Sequence, residues 1–115
     1  MSLRDIKSSI ENTLNISFHN DSRQREIFEA RIVFCLISLN NYTSKKIPTN
    51  RTLAEHVGKT PDVIVYYKKQ AKNLMIYNDF KAKYIKCLRS IGKNEDEISI
   101  QTSTDFIEKI TKKRK

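Results

Sequence analysis

The sequence predicts an all-α protein, a compact bundle of about five helices, and three observations carry that expectation. Apolar residues recur at helical spacing, as in Ile6, Ile10 and Leu14, or Phe80, Tyr84, Leu88 and Ile91. Gly and Pro number only two each, too few for the many tight turns of a β-sandwich or barrel. The stretch from Ala30 to Leu39 is apolar on almost every side, and the preceding Arg-Gln-Arg-Glu-Ile-Phe-Glu extends its pattern beyond the length of a strand. A helix of that kind belongs at the centre of a bundle. One domain is the natural organisation of 115 residues, because two separate cores would each be marginal.

Taken in order, the first helix runs from about Leu3 to Asn15 with one apolar stripe. Phe18 and the polar loop His19-Asn20-Asp21-Ser22 follow, and Asp21 or Ser22 offers a side-chain oxygen to the first turn of a second helix over 23–40. The stretch from Asn40 to Lys46 breaks the pattern and Pro48 closes the loop. A short third helix spans about 50–57, capped by Thr49 or Asn50 and stopped by Gly58. Thr60 is the expected N-cap of a fourth helix, with Pro61 at its first position, continuing to about Tyr77. Asn78-Asp79 caps a fifth helix that Gly92 ends. The helical domain is thus placed at 1–92. Residues 93–115 are expected as a charged, flexible tail, with at most a last amphipathic turn or two through Phe106, Ile107 and Ile110.

The net charge of +9 is unevenly placed: residues 51–93 carry ten basic and three acidic side chains, a net +7. Such a segment binds polyanions by neutralising phosphates and releasing their counterions. Charge alone fits a generic soluble surface equally well. No apolar run approaches the roughly 20 residues of a membrane span, so no membrane partner is expected. The opening Met-Ser-Leu-Arg-Asp lacks the apolar centre of a signal peptide, and a cytoplasmic location is expected. Cys35 and Cys87 fall inside apolar helical patterns and are expected as buried small hydrophobes. Neither has a companion at metal-site spacing, so neither a metal nor another cofactor is expected. The carboxylates are scattered, His19 lies in a loop and His56 at a solvated helix end. The chain is not expected to be an enzyme.

The informative stretch is TNRTLAEHVGKTPDVIVYYKKQ, residues 49–70. Two short helices crossing steeply around a tight turn need a glycine at the turn, a small residue at the contact, and apolar residues on the facing sides. Counting from Gly58, Ala54 sits at the contact, Leu53 and Val57 face inward, and Ile64 and Tyr67 form the apolar face of the next helix. Lys59 departs from the apolar residue common there. The pattern predicts a helix-turn-helix. At about 100° per residue, Ile64, Tyr67, Ala71 and Leu74 share one side of the fourth helix. Asp62, Tyr66, Lys69 and Asn73 share the other, flanked by Val65 and Lys72. Lysine reaches guanine or phosphate, asparagine pairs with adenine, valine or tyrosine touches a thymine methyl, and Asp62 accepts from cytosine. Lys59 and Thr60 at the turn, and Lys45 and Lys46 in the preceding loop, complete the expected contacts. An ordinary solvated helix surface has the same composition.

At this point the chain resembles the C-terminal DNA-binding domain (domain IV) of the bacterial chromosomal replication initiator DnaA, which shares its helix-turn-helix arrangement with the Trp repressor. The likeness covers about residues 5–91. It lies in the apolar spacing of Ile6, Ile10 and Leu14, in Ser22-Arg23-Gln24-Arg25, in Ala30-Arg31 followed by the apolar run, and in Gly58-Lys59-Thr60-Pro61-Asp62-Val63-Ile64. The family carries a signature resembling Gly-Arg-Asp-His-Thr-Thr-Val at that last place. The resemblance implies double-stranded DNA as partner, with Arg23 or Arg25 reaching a minor groove or phosphate. Thr60-Pro61-Asp62-Val63 stands where the family reads bases, so the family's origin-box specificity is not carried over. The nucleotide-binding Gly-x-x-x-x-Gly-Lys-Ser/Thr is absent, which implies a module without the initiator's ATPase, in replication or transcription regulation or on a mobile element. Two other functions stay open: a helical protein–protein interaction module presenting Tyr66 and Val65, and an RNA-binding module. A homodimer, or a replication or regulatory protein, stays open as a further partner.

Overall fold

Every regular element in the computed structural model, which describes residues 2–18, 25–40 and 48–111, is an α-helix. There are seven among the described residues: α1 (Leu3–Leu14), α2 (Arg25–Asn40), α3 (Asn50–Val57), α4 (Pro61–Leu74), α5 (Asn78–Ser90), α6 (Glu95–Gln101) and α7 (Thr104–Thr111). The first five correspond to the five expected. None is long and apolar enough to cross a membrane.

Local chemistry explains most boundaries. Ser2 and Asp5 form a reciprocal capping box that starts α1, and Asn15 ends it in the left-handed region at φ 57°. The Thr49 hydroxyl accepts the Thr52 N–H at 3.1 Å and starts α3. Thr60 precedes Pro61 at the start of α4 as expected, without a side-chain bond of its own. Two expectations fail here. α4 stops at Leu74 rather than near Tyr77, because the Ile76 and Tyr77 N–H groups turn back onto the Asn73 and Leu74 carbonyls in a tight reversal. The N-cap of α5 is Tyr77, not Asn78-Asp79; those two lie inside the first turn, where Asp79 complements the positive end of the helix dipole.

α2 is the axis of the bundle. Ile27, Ala30, Ile32 through Ile37, and Leu39 are buried, and α1, α4, α5 and α7 all pack against it. Hydrophobic burial on all sides is what a helix without an amphipathic stripe requires. Two charged residues share this interior. Glu29, 2% exposed, accepts from Lys83 of α5 at 2.6 Å and from Arg25 at 2.9 Å. Arg31, 7% exposed, donates through two nitrogens to the Phe18 carbonyl. Glu29 is thus paired with opposite charge, and Arg31 is hydrogen-bonded.

Residues 95–111 depart from the expected tail. Asn94 accepts the Glu97 N–H at 2.8 Å, and the Glu97 carboxylate accepts the Asn94 N–H at 3.1 Å. The acidic run that reads as a solvated linker is thus a capping box with three acids in the first turn of α6. Ile98, Ile107 and Ile110 then enter the common core, and α7 packs on α2 and α4. The helical body extends past residue 92 to Thr111.

Candidate nucleic-acid interface

The site is built on α3, the turn at Gly58, and α4. Gly58 adopts φ 71° and ψ 35°, a conformation that costs glycine little and an L side chain much more. Its N–H and that of Lys59 both reach the Ala54 carbonyl, closing α3 and reversing the chain. Leu53, Ala54 and Val57 on one side of the turn, and Ile64, Tyr67 and Ala71 on the other, are all buried. Burial of these positions holds α3 and α4 against each other. Leu74 is partly buried at the end of the same stripe.

The opposite face of α4 lies in solvent. Asp62, Val65, Tyr66, Lys69, Lys72 and Asn73 are exposed, as are Lys59 and Thr60 at the turn. Val65 at 41% and Tyr66 at 50% are apolar surface that folding leaves uncovered. Tyr66 is nonetheless held: its ring lies 6.2 Å from Phe28 of α2 and 6.4 Å from Tyr67. Tyr67 in turn meets Phe28 edge-on at 5.7 Å. Burial pushes the Tyr67 phenol above its ordinary range, opposed by a hydrogen bond and the charge of Arg31.

The basic side chains divide into three groups. Lys59 and Lys69 stand exposed. Lys72 does not stand alone: its Nζ lies 3.1 Å from the Glu108 carboxylate of α7, both side chains about two-fifths exposed. Together with Asn73, Met75, Ile76, Thr104 and Glu108, it lines an open groove of about 330 Å³. Arg25 is 74% exposed at its side chain while paired to Glu29. Arg23, Lys45 and Lys46 lie outside the described residues. Two basic residues near the turn escape sequence inspection. Arg51 is exposed in the first turn of α3. Lys68, 8% exposed, donates to Asn50 Oδ1 at 2.6 Å and ties α4 to the start of α3. Its partner Asn50 is 18 residues away in sequence, so no local pattern signals the pair.

The remaining titratable groups are structural in setting. Cys35 and Cys87 are buried, and burial pushes both thiols up to about 12. His56 is not the solvated helix end expected; it is partly buried, with its ring 5.9 Å from that of Phe34. Burial, then the charges of Lys7 and Arg4, hold its imidazole below the usual value, with Glu55 opposing. Among the described residues no three His, Cys, Asp or Glu side chains converge as a metal-ligand set. Comparisons with protein-family models, curated proteins and solved structures find no match to this chain.

Proposed function

We propose that the protein binds double-stranded DNA through a helix-turn-helix made by α3, the Gly58 turn and α4, and acts in replication or transcription regulation rather than as an enzyme. The observation that carries this reading is the outward face of α4. A helix packed on the core by Ile64, Tyr67 and Ala71 leaves Asp62, Val65, Tyr66 and Lys69 in solvent beside a turn bearing Lys59. Apolar and hydrogen-bonding groups on one helix face are what the edges of base pairs in a major groove can engage. The net +7 of residues 51–93 supports it through the attraction of phosphates. The resemblance to the initiator's DNA-binding domain points the same way.

Titration of labelled duplexes from a random pool between about 50 and 200 mM salt tests the proposal. Binding at micromolar protein or tighter is expected, weakening by about 0.9 in log affinity per log salt for each phosphate contacted. Lys69→Ala and Tyr66→Ala should relax sequence preference, each costing about 1–3 kcal/mol on the preferred site. Absence of salt-sensitive duplex binding contradicts the proposal. Protein docking is the second reading, favoured by the exposure of Val65 and Tyr66 together with Ile76 at 78% and Tyr77 at 57%. A protein partner retained at high salt, with no duplex or structured-RNA affinity, would select it.

A further inference from the structure

We infer that α7 limits the DNA-contact face by holding the Glu108 carboxylate where a backbone phosphate would otherwise sit on Lys72; this rests on the duplex-binding reading above. From Asn94 to Thr111 the chain carries Glu95, Asp96, Glu97, Asp105 and Glu108 against Lys109 alone, a net −4. This acidic pair of helices lies against the basic segment and pairs with it at two places. Glu95 takes two bonds from Arg89 of α5, at 2.9 and 3.0 Å, and Glu108 takes one from Lys72 of α4 at 3.1 Å.

α7 cannot swing away without opening the core, because Ile107 and Ile110 are buried beneath α2 and α4. The counter-charge is therefore a fixed feature of the end of α4. The pair itself is weak, with its side chains 43% and 40% exposed, so phosphate can compete for Lys72. A phosphate arriving there still meets the Glu108 carboxylate at close range. Duplex contact is thereby shifted toward the start of α4, to Lys59, Asp62, Val65, Tyr66 and Lys69. Asn73, beside Lys72 on the groove, is placed outside it.

The test is Glu108→Gln, an isosteric change at a partly exposed site, titrated with a duplex retained by the wild-type chain. Helical circular dichroism and melting should match the wild type. Affinity at low salt should rise by up to about fivefold. The salt dependence should steepen by about 0.9, the increment for one more phosphate contact. Lys72→Gln combined with Glu108→Gln should lose both gains. Glu95→Gln removes the same charge from the α5–α6 side and should leave the slope unchanged. The inference is overturned if Glu108→Gln binds like the wild type. It is equally overturned if the gain persists without Lys72, or if Glu95→Gln reproduces the steeper slope. Failure of the wild-type chain itself to bind duplex in a salt-sensitive way overturns the DNA reading as well, which separates the two failures.

Discussion

Arg31 joins three parts of the molecule through one side chain. Its guanidinium donates to the Phe18 carbonyl and hydrogen-bonds the Tyr67 phenol, so the segment after α1, the core helix α2 and the inner face of α4 share a buried charge. Removing one partner of such a group leaves a buried charged donor unsatisfied, which is why its cost exceeds that of a surface contact. His56 acts in the opposite sense, as a base kept from its proton. Its folded-state value lies below the ordinary 6.5, so the unfolded chain takes up a proton more readily as pH falls through that point. Stability is then fullest above about pH 6.5 and declines as pH is lowered toward the depressed folded value. Urea midpoints are expected to fall from about pH 7.5 to about pH 5.5, and to fall less in His56→Gln. An equal fall in the variant contradicts this. Single residues were unevenly legible in the sequence. The burial of Cys35 and Cys87 followed from helical periodicity alone. The packing of His56 on Phe34 and the pairing of Lys72 with Glu108, 36 residues apart, depend on which helices meet, which no local pattern records.

At the scale of elements, the punctuation marks were the most readable part of the chain. Gly58 at positive φ, Pro61 at the first position of α4, and Thr49 at the start of α3 behave as their side chains and backbones require, while Thr60 caps α4 through its backbone alone. The end of α4 was less readable, because Met75 to Tyr77 carry no glycine or proline to mark the local reversal there. The C-terminal helices are faint in the sequence for a different reason. Their apolar residues are few and widely spaced among charges, so periodicity is faint, and the Asn94–Glu97 capping box looks like a linker. Burial shows their weight: Ile107 is fully enclosed between α7 and its neighbours. Ile107→Ala should lower unfolding free energy by about 3 kcal/mol in chemical denaturation, the usual cost of emptying such a site. A loss below about 0.5 kcal/mol, as for a surface change, would contradict the packing of α7.

Across the whole molecule, α2 supplies a core on which the other helices lean, and charge is segregated around it. The basic segment spans α3 to α5, while α6 and α7 lay an acidic layer against α4 and α5. Among the described basic residues of α4, Lys69 stands exposed while Lys72 shares its charge with Glu108. The all-helical class and the inner and outer faces of α4 were legible in sequence. The distribution of free charge over that surface was not, since it depends on contacts between residues far apart in the chain.

Amide chemical shifts of the isotope-labelled protein, followed while a selected duplex is added, test the central claim most directly. The largest changes should fall on Lys59, Asp62, Val65, Tyr66 and Lys69, with α5 and α6 little altered. Changes confined to α5, α6 or the Ile76–Tyr77 turn, with the outward face of α4 silent, would contradict it.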